Sequence, residues 1–488
     1  MSDFSDRCRF YLNESGSNVY QISKQSGLDR TTIQRMLSGQ RLPSQKFIET
    51  FSDYLHISTY EKLELIELYQ IEKIGKSVYL NRKNIQSLLD FLKATENRTL
   101  DISNTAYDPI RLSVSKSRHY TADVNSLLEK ILTFAFTSQL KNEAIYTNIP
   151  AEYDYFFSLL CSCQKKYACT IPVTQLFGIN THSKDTTRPN ENLEILCNVF
   201  SFLVSPYKDY KPFYYYNKVS VKEYALQIFP YYVITSNAVL LISFDLKTGC
   251  ITKETSMVLS YQKEFKKIFS LSSPFIKRVS DPIEALDEYC KSFMEYGRPS
   301  FTLESQPCLF SMFYSDQLLD RLCPQEVPNR SELLETFLKI SSTSFSSLND
   351  YTGFFTLSGV RSFMNTGIIT SPIAVYAEAF SPSERKKMLT YLLSNKMSPS
   401  KASTVLLNDN FIFSQQVNIE LFGRNHLHFI TSTPDSFDFL TIDELSICES
   451  FSDYFNFLKE SDYAYSEEEK CSVIQGFLKG DAYEPKIK

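Results

Sequence analysis

The sequence predicts a multidomain protein: an N-terminal all-α helix-turn-helix domain followed by a large α/β (or α+β) region, built as two subdomains. Three observations predict it. The 488 residues are more than one hydrophobic core serves. Through the first 76 residues apolar side chains recur at helical spacing between capping residues. From about residue 120 short apolar runs alternate with helical patterns and turn residues, the sign of helices layered on a sheet. The hydrophobic content of 43% with 14% aromatics supports burial along the chain and argues against disorder.

In the head, a first helix over Phe4–Asn13 buries Phe4, Cys8, Tyr11 and Leu12. Asn18 caps a second, Val19–Ser26, with Tyr20, Ile22 and Ser23 inward, and Gly27 ends it in the left-handed conformation. Asp29 caps a third, Arg30–Ser38, closed by Gly39. Pro43 and Ser44 open a fourth along Phe47, Ile48, Phe51 and Leu55. A fifth begins near Ser58 and is amphipathic through Leu63, Ile66, Leu68 and Tyr69, ending by Gly75. The expected domain spans 1–76, and 77–115 reads as a connecting helix, Lys83–Lys93, with a polar linker.

Residues 116–280 form the first α/β subdomain. Its pattern gives a helix near Ala122–Ser138, a strand Ala144–Ile149, a helix Ala151–Lys165, a strand Thr170–Phe177 and a helix Asn192–Val204. A hairpin follows, Tyr231–Thr235 against Val239–Phe244 about the turn Ser236-Asn237, and then a helix Glu254–Phe269. Residues 281–488 form the second. There Asp281–Tyr296 is helical, Ser381-Pro382-Ser383-Glu384 is a capping box opening a helix to Leu393, and Val417–Phe422 pairs with His426–Ile430 across Gly423. Helices Asp443–Leu458 and Ser466–Leu478 end the chain. No repeat period is visible.

Composition excludes several classes. Thirteen glycines argue against glycine-rich phosphate loops. No apolar run approaches the roughly 20 residues of a membrane span, and the acidic N-terminus reads as no signal peptide, so a soluble, cytoplasmic protein is expected. Eleven cysteines without a CxxC pair read as reduced thiols. The net charge of -5 does not suggest a nucleic-acid binder, but charge distribution does. Between positions 24 and 46, five basic residues (Lys24, Arg30, Arg35, Arg41, Lys46) against one acid, Asp29, give a local +4.

The string Asn18-Val-Tyr-Gln-Ile-Ser-Lys-Gln-Ser-Gly27-Leu-Asp-Arg-Thr-Thr-Ile33-Gln-Arg-Met-Leu-Ser-Gly39 resembles the XRE, or phage-repressor, helix-turn-helix family. Ser23 is small where two helices cross, Gly27 takes the turn, Leu28 plugs the core, and Ile33 and Leu37 pin the recognition helix. The continuation Gly39-Gln-Arg-Leu-Pro-Ser44 and the apolar positions through Leu55 fit the same family. The resemblance implies that Arg30, Thr31, Thr32, Gln34 and Arg35 face the major groove. Arginine can fork onto guanine and threonine can meet a thymine methyl. It places Asn18, Arg41, Ser44 and Lys46 at phosphates. It further implies double-stranded DNA as partner, a homodimer on two-fold sites, and a bacterial cytoplasmic setting. The dimer surface stays open between the helix after Ser58 and the C-terminal region.

Elsewhere the residues favour packing over chemistry. The hairpin Tyr231–Phe244 and Tyr261-Gln-Lys-Glu-Phe265-Lys-Lys-Ile-Phe269 resemble phospholipase D-like domains, which implies a ligand-sensing module, but that fold's catalytic histidine and lysine are absent from the hairpin. Cys161, Cys163 and Cys169 lack a fourth ligand for zinc and read as buried thiols. His426 and His428 share one strand face, where they could hold a metal or an anion; ring packing is the reading preferred. The aromatic runs Phe213–Tyr216 and Tyr231-Tyr232 read as core before pocket, and Phe354–Gly367 fits no known phosphate-loop spacing. No catalytic, metal or cofactor site is expected. The chain therefore reads as a one-component transcriptional regulator whose C-terminal region answers an unknown small molecule or peptide. The alternative is an effector enzyme or toxin-like protein with an autoregulatory DNA-binding head.

Overall fold

Two seven-stranded mixed sheets, alike in the connectivity of six strands, dominate the computed structural model. It describes residues 2–96, 122–138, 143–180, 189–203, 207, 209–216, 228–307, 350–369, 378–393, 402–433 and 436–479, with scattered positions between 325 and 339. The described chain divides into two compact units, residues 2–83 with 189–190 and residues 84–180 with 191–479. The architecture is α/β and multidomain.

The first unit is helical: α1 (Asp3–Glu14), α2 (Val19–Ser26), α3 (Arg30–Leu37), α4 (Gln45–Tyr54) and α5 (Thr59–Ile74). Each starts on a side-chain cap, from Ser2, Asn18, Asp29, Ser44 and Ser58 in turn, which satisfies amide groups that a helix end leaves orphaned. Phe4, Cys8, Tyr11, Ile22, Ile33, Met36, Ile48, Phe51, Leu65 and Tyr69 form its core. Two expectations of the inward faces fail. Tyr20 is 58% exposed and Leu63 62% exposed, while Leu65 is fully buried. In α5 apolar residues lie on every side, so spacing alone could not select the Leu65–Tyr69 stripe. The connecting helix is also longer than expected: α6 (Lys76–Thr95) starts directly after Gly75, whose positive φ turns the chain without a loop.

In the second unit the first sheet collects β1 (Ile145–Thr147), β2 (Val173–Ile179), β3 (Tyr210–Tyr216), β4 (Tyr231–Ile234), β5 (Val239–Ile242), β6 (Gly249–Thr252) and the short edge β7 (Ser273–Pro274). The order is β6-β5-β4-β1-β2-β3-β7, with β1, β2 and β3 parallel and the remaining pairs antiparallel. Helices α7 (Ala122–Thr137), α8 (Asp154–Tyr167) and α9 (Glu191–Leu203) join one core with it, and α10 (Thr255–Phe269) packs on Leu176, Ile234, Val239 and Leu241 in another.

The second sheet opens with β8 (Lys277–Val279), followed by α11 (Pro282–Tyr296), β9 (Phe301–Leu303), β10 (Tyr351–Thr356), α12 (Leu357–Thr366), α13 (Pro382–Leu393), β11 (Ala402–Leu407), β12 (Val417–Phe422), β13 (His426–Thr433) and β14 (Ser436–Ile442). Its order, β11-β10-β9-β12-β13-β14-β8, repeats six strands of the first sheet: β9, β10 and β11 are parallel, as β1, β2 and β3 are, and β12, β13 and β14 follow antiparallel, as β4, β5 and β6 do. The seventh strand lies on opposite edges, β7 beside β3 and β8 beside β14. Helices α14 (Leu445–Glu460) and α15 (Glu467–Lys479) complete the unit. Between the sheets Phe200 of α9 meets Phe429 of β13 at 4.9 Å, and Asn192 donates to the Ser446 hydroxyl of α14 at 3.0 Å. A repeat of pairing needs no repeat of residues, which is why none was visible in the sequence.

Both expected hairpins form, Tyr231 pairing with Ile242 and Phe422 with His426. The run Phe213–Tyr216 belongs to β3, where Tyr214 joins one core while Phe213 and Tyr215 join the other. The stretch Phe354–Gly367 is strand and helix. Gly359 lies so close to the Ser305 carbonyl that no Cβ fits, and Arg361 forks onto Asp409 at 2.9 Å.

Candidate nucleic-acid interface

The helices α2 and α3 are joined by a turn of three residues, and each joint has a local cause. Asn18 Oδ1 accepts from Gln21 N at 3.0 Å while Gln21 Oε1 accepts from Asn18 N, a reciprocal cap. Ser26 Oγ accepts from Leu28 N, holding the exit of α2. Gly27 sits at φ 74°, ψ 4°, a conformation that disfavours any side chain, and donates to Ser23 O. Asp29 then caps α3, accepting from Thr32 N and Oγ1, both at 2.7 Å. Those hydrogen bonds, with Arg41 adding to them, hold the Asp29 carboxyl below the usual carboxylate range.

Buried Ile33, Met36 and Leu37 fix the rotation of α3 about its axis. That rotation leaves Arg30, Thr31, Gln34 and Arg35 exposed on one side. Thr32 is half-buried and its hydroxyl is engaged by Asp29, so within the predicted set it serves the helix cap. Asn18, Arg41, Ser44 and Lys46 are all exposed. Asn18 and Ser44 use their side-chain oxygens as caps, so the amide-rich starts of α2 and α4 lie at the surface beside them. Lys24, Arg30, Arg35, Arg41 and Lys46 are exposed, and none forms an ion pair with a described residue. With Asp29 as the acid among them, the arrangement can meet a polyanion: helix starts and cations for phosphates, and a projecting helix with two arginines for base edges.

Compared with known proteins, the chain matches no family model. No curated protein sequence matches it either.

The other candidate residues separate. Cys161 is half-buried, Cys163 buried and Cys169 exposed, and burial pushes the Cys163 thiol up to about 11. Among the described residues no three His, Cys, Asp or Glu side chains gather to hold a metal, and no helix is long and apolar enough to cross a membrane.

His426 and His428 lie in a polar cluster under α11 that sequence reasoning did not assemble. His426 Nε2 is 2.8 Å from Ser292 Oγ and 2.8 Å from His428 Nε2, and its Nδ1 bonds Asp443. Tyr289 of α11 donates to Glu420 of β12 at 2.8 Å. The side chains of α11 and their partners on the strands are 131 to 136 residues apart, beyond any local spacing rule. The available sign was Glu420 among the apolar residues of Val417–Phe422, with His426 and His428 on the strand paired to it.

Proposed function

We propose that the first unit is an XRE-type helix-turn-helix head and that the chain is a sequence-specific, DNA-binding transcriptional regulator. The observation that carries this reading is the uncommitted face of α3: Arg30, Thr31, Gln34 and Arg35 are exposed, as are Arg41 and Lys46, while the opposite face of α3 is buried. A helix kept rigid by its cap and three core side chains can present arginines to base edges without ordering them anew at binding. Thr32 supports α3 from within in this reading, and Asn18 and Ser44 orient helix ends toward phosphate. The chain acts as a cytoplasmic homodimer on two-fold sites, and the second unit is the part that answers a small molecule or peptide.

The rival reading, an effector enzyme with an autoregulatory head, has one feature to draw on, the Ser292–His426–Asp443 hydrogen-bond chain. Its direction is wrong for a nucleophile: the serine is the buried end and the aspartate the exposed end. Selection of bound duplexes from a random-sequence pool by the full chain tests the proposal. Enrichment of one short motif, arranged as an inverted repeat, is expected. A recovered pool indistinguishable from the input would overturn it.

A further inference from the structure

The repeated connectivity supplies an internal control for the cluster under α11. In the first sheet Val233 pairs with Thr147 on β1 and Leu240 on β5. In the second sheet the residue with the same two neighbours is Glu420, paired with Thr302 on β9 and His428 on β13. By the same register Ala238, two residues before Leu240, corresponds to His426. One half of the unit thus packs Val233, Leu240 and Ala238 where the other packs Glu420, His428 and His426, all six on a face covered by the helix that precedes the first strand. The fold does not require polar groups there.

Glu420 and His428 face each other across β12 and β13, and both are fully buried. Each is tied to α11 by one atom and lacks a partner on another. Glu420 Oε1 accepts from Tyr289 while Oε2 has no hydrogen bond; His428 Nε2 lies 3.2 Å from Ser292 Oγ while Nδ1 has none. A charge on one of the two groups alone would be buried with no opposite charge to pair with it. We propose that Glu420 and His428 are a buried acid–base pair holding one proton between them, on the carboxyl, and that opening of α11 hands that proton to the imidazole. On opening, the Glu420 O–H bond breaks, a histidine N–H bond forms, and solvent carries the proton between them. Docking of α11 is then neutral in protons and independent of pH over the acid range. The inference stands apart from the DNA-binding reading.

Burial moves the two groups in the directions this needs. It raises the Glu420 carboxyl from 4.5 to about 7, against the Tyr289 hydrogen bond, and it drives the His428 imidazole well below 6.5, helped by His426. The other groups facing the pair are Tyr289 and Ser292 from α11 and His426 from β13, with Glu304 and Tyr351 acting on Tyr289 from the sheet. Between pH 4.5 and 6.5 the closed form keeps a proton on Glu420 that the open form releases, so rising pH favours opening. In the same window the open form takes up a proton at His428 that the closed form refuses, so falling pH favours opening. The two slopes cancel.

Removing one partner exposes the slope of the other. Amide hydrogen exchange of residues 282–296 in the full chain, corrected for the intrinsic rate at each pH, reads it, with α7 over the apolar counterpart positions as reference. Wild-type protection should be flat from about pH 4.5 to 6.5. In His428→Leu it should fall about tenfold per unit of rising pH, and in Glu420→Val about tenfold per unit of falling pH. Both replacements are the residues that the first sheet carries at these places. If either variant does not fold, His428→Gln and Glu420→Gln keep a hydrogen-bonding side chain and must give the same opposed slopes. A sloping wild type, flat variants, or variants sloping the same way would overturn the pair.

Discussion

Arg35→Ala and Lys46→Ala each remove one exposed positive charge, yet under the proposed reading the two side chains do different work. Arg35 lies on the exposed side of α3, whose other face is locked by Ile33, Met36 and Leu37, so its guanidinium can reach base edges. Lys46 lies at the start of α4 next to the Ser44 cap, where a helix end already favours phosphate. Losing a bidentate guanine contact costs about 1–3 kcal/mol, or roughly 5- to 150-fold in affinity, on the selected site. On random DNA the same change should cost far less. Losing one phosphate contact weakens all sequences alike and lowers the log–log salt slope by about 0.9. Across a fourfold rise in salt, roughly 50 to 200 mM, that difference narrows the Lys46→Ala deficit by about 3.5-fold. Fluorescence anisotropy on the selected duplex and on a scrambled one, at both salt concentrations, measures all four quantities. Equal losses for the two variants on both duplexes would refute the assigned orientation of α3.

Gly27→Ala meets no atom within 4 Å, so its effect is backbone strain alone at φ 74°. It should destabilise the head by about 1–2 kcal/mol, read as a lowered urea midpoint of the helical signal, and Gly27→Asn by less. A fragment of residues 1–83 carries its own core, so it should fold as a helical domain. Under the proposed dimeric reading it should keep the full chain's sequence preference in a binding assay with much weaker affinity, because a lone head would lack the second site of a dimer. Burial pushes the Cys8 thiol up to about 12, whereas Cys169 and Cys250 are exposed. Mass spectrometry after brief iodoacetamide treatment at neutral pH should find Cys169 and Cys250 alkylated and Cys8 intact. Reaction at Cys8 would mean that the head core is open.

What was legible followed from local rules. The caps Asn18, Asp29, Ser44 and Ser58 announced their helices because a short polar side chain before an apolar period has one economical use. The hairpin about Gly423 was legible because both strands and the turn are contiguous. Two of the strands missed lack alternation. Tyr210–Tyr216 is aromatic throughout its latter half, carries Pro212 and contributes to cores on both faces, while Tyr351–Thr356 is buried at every position and contains Gly353. A strand buried on both sides loses the period of two that would identify it. The exposed residues of α3 were legible from the turn and core positions around them. The engagement of Thr32 by Asp29 was not, since the same spacing serves a cap or a base contact. Glu420, Tyr289, Ser292 and Asp443 were out of reach for a different reason: they converge only through sheet pairing and the docking of α11.

The central claim is that a basic face on α2, α3 and α4 binds duplex DNA through phosphates and reads it with α3. Titration of the full chain on its selected duplex across a salt series tests this most directly. About four to six phosphate contacts predict a log–log slope of roughly -3.6 to -5.4, with Arg30→Ala and Arg35→Ala each lowering the preference over scrambled DNA. Binding that does not respond to salt, or a preference that neither variant lowers, would contradict the account.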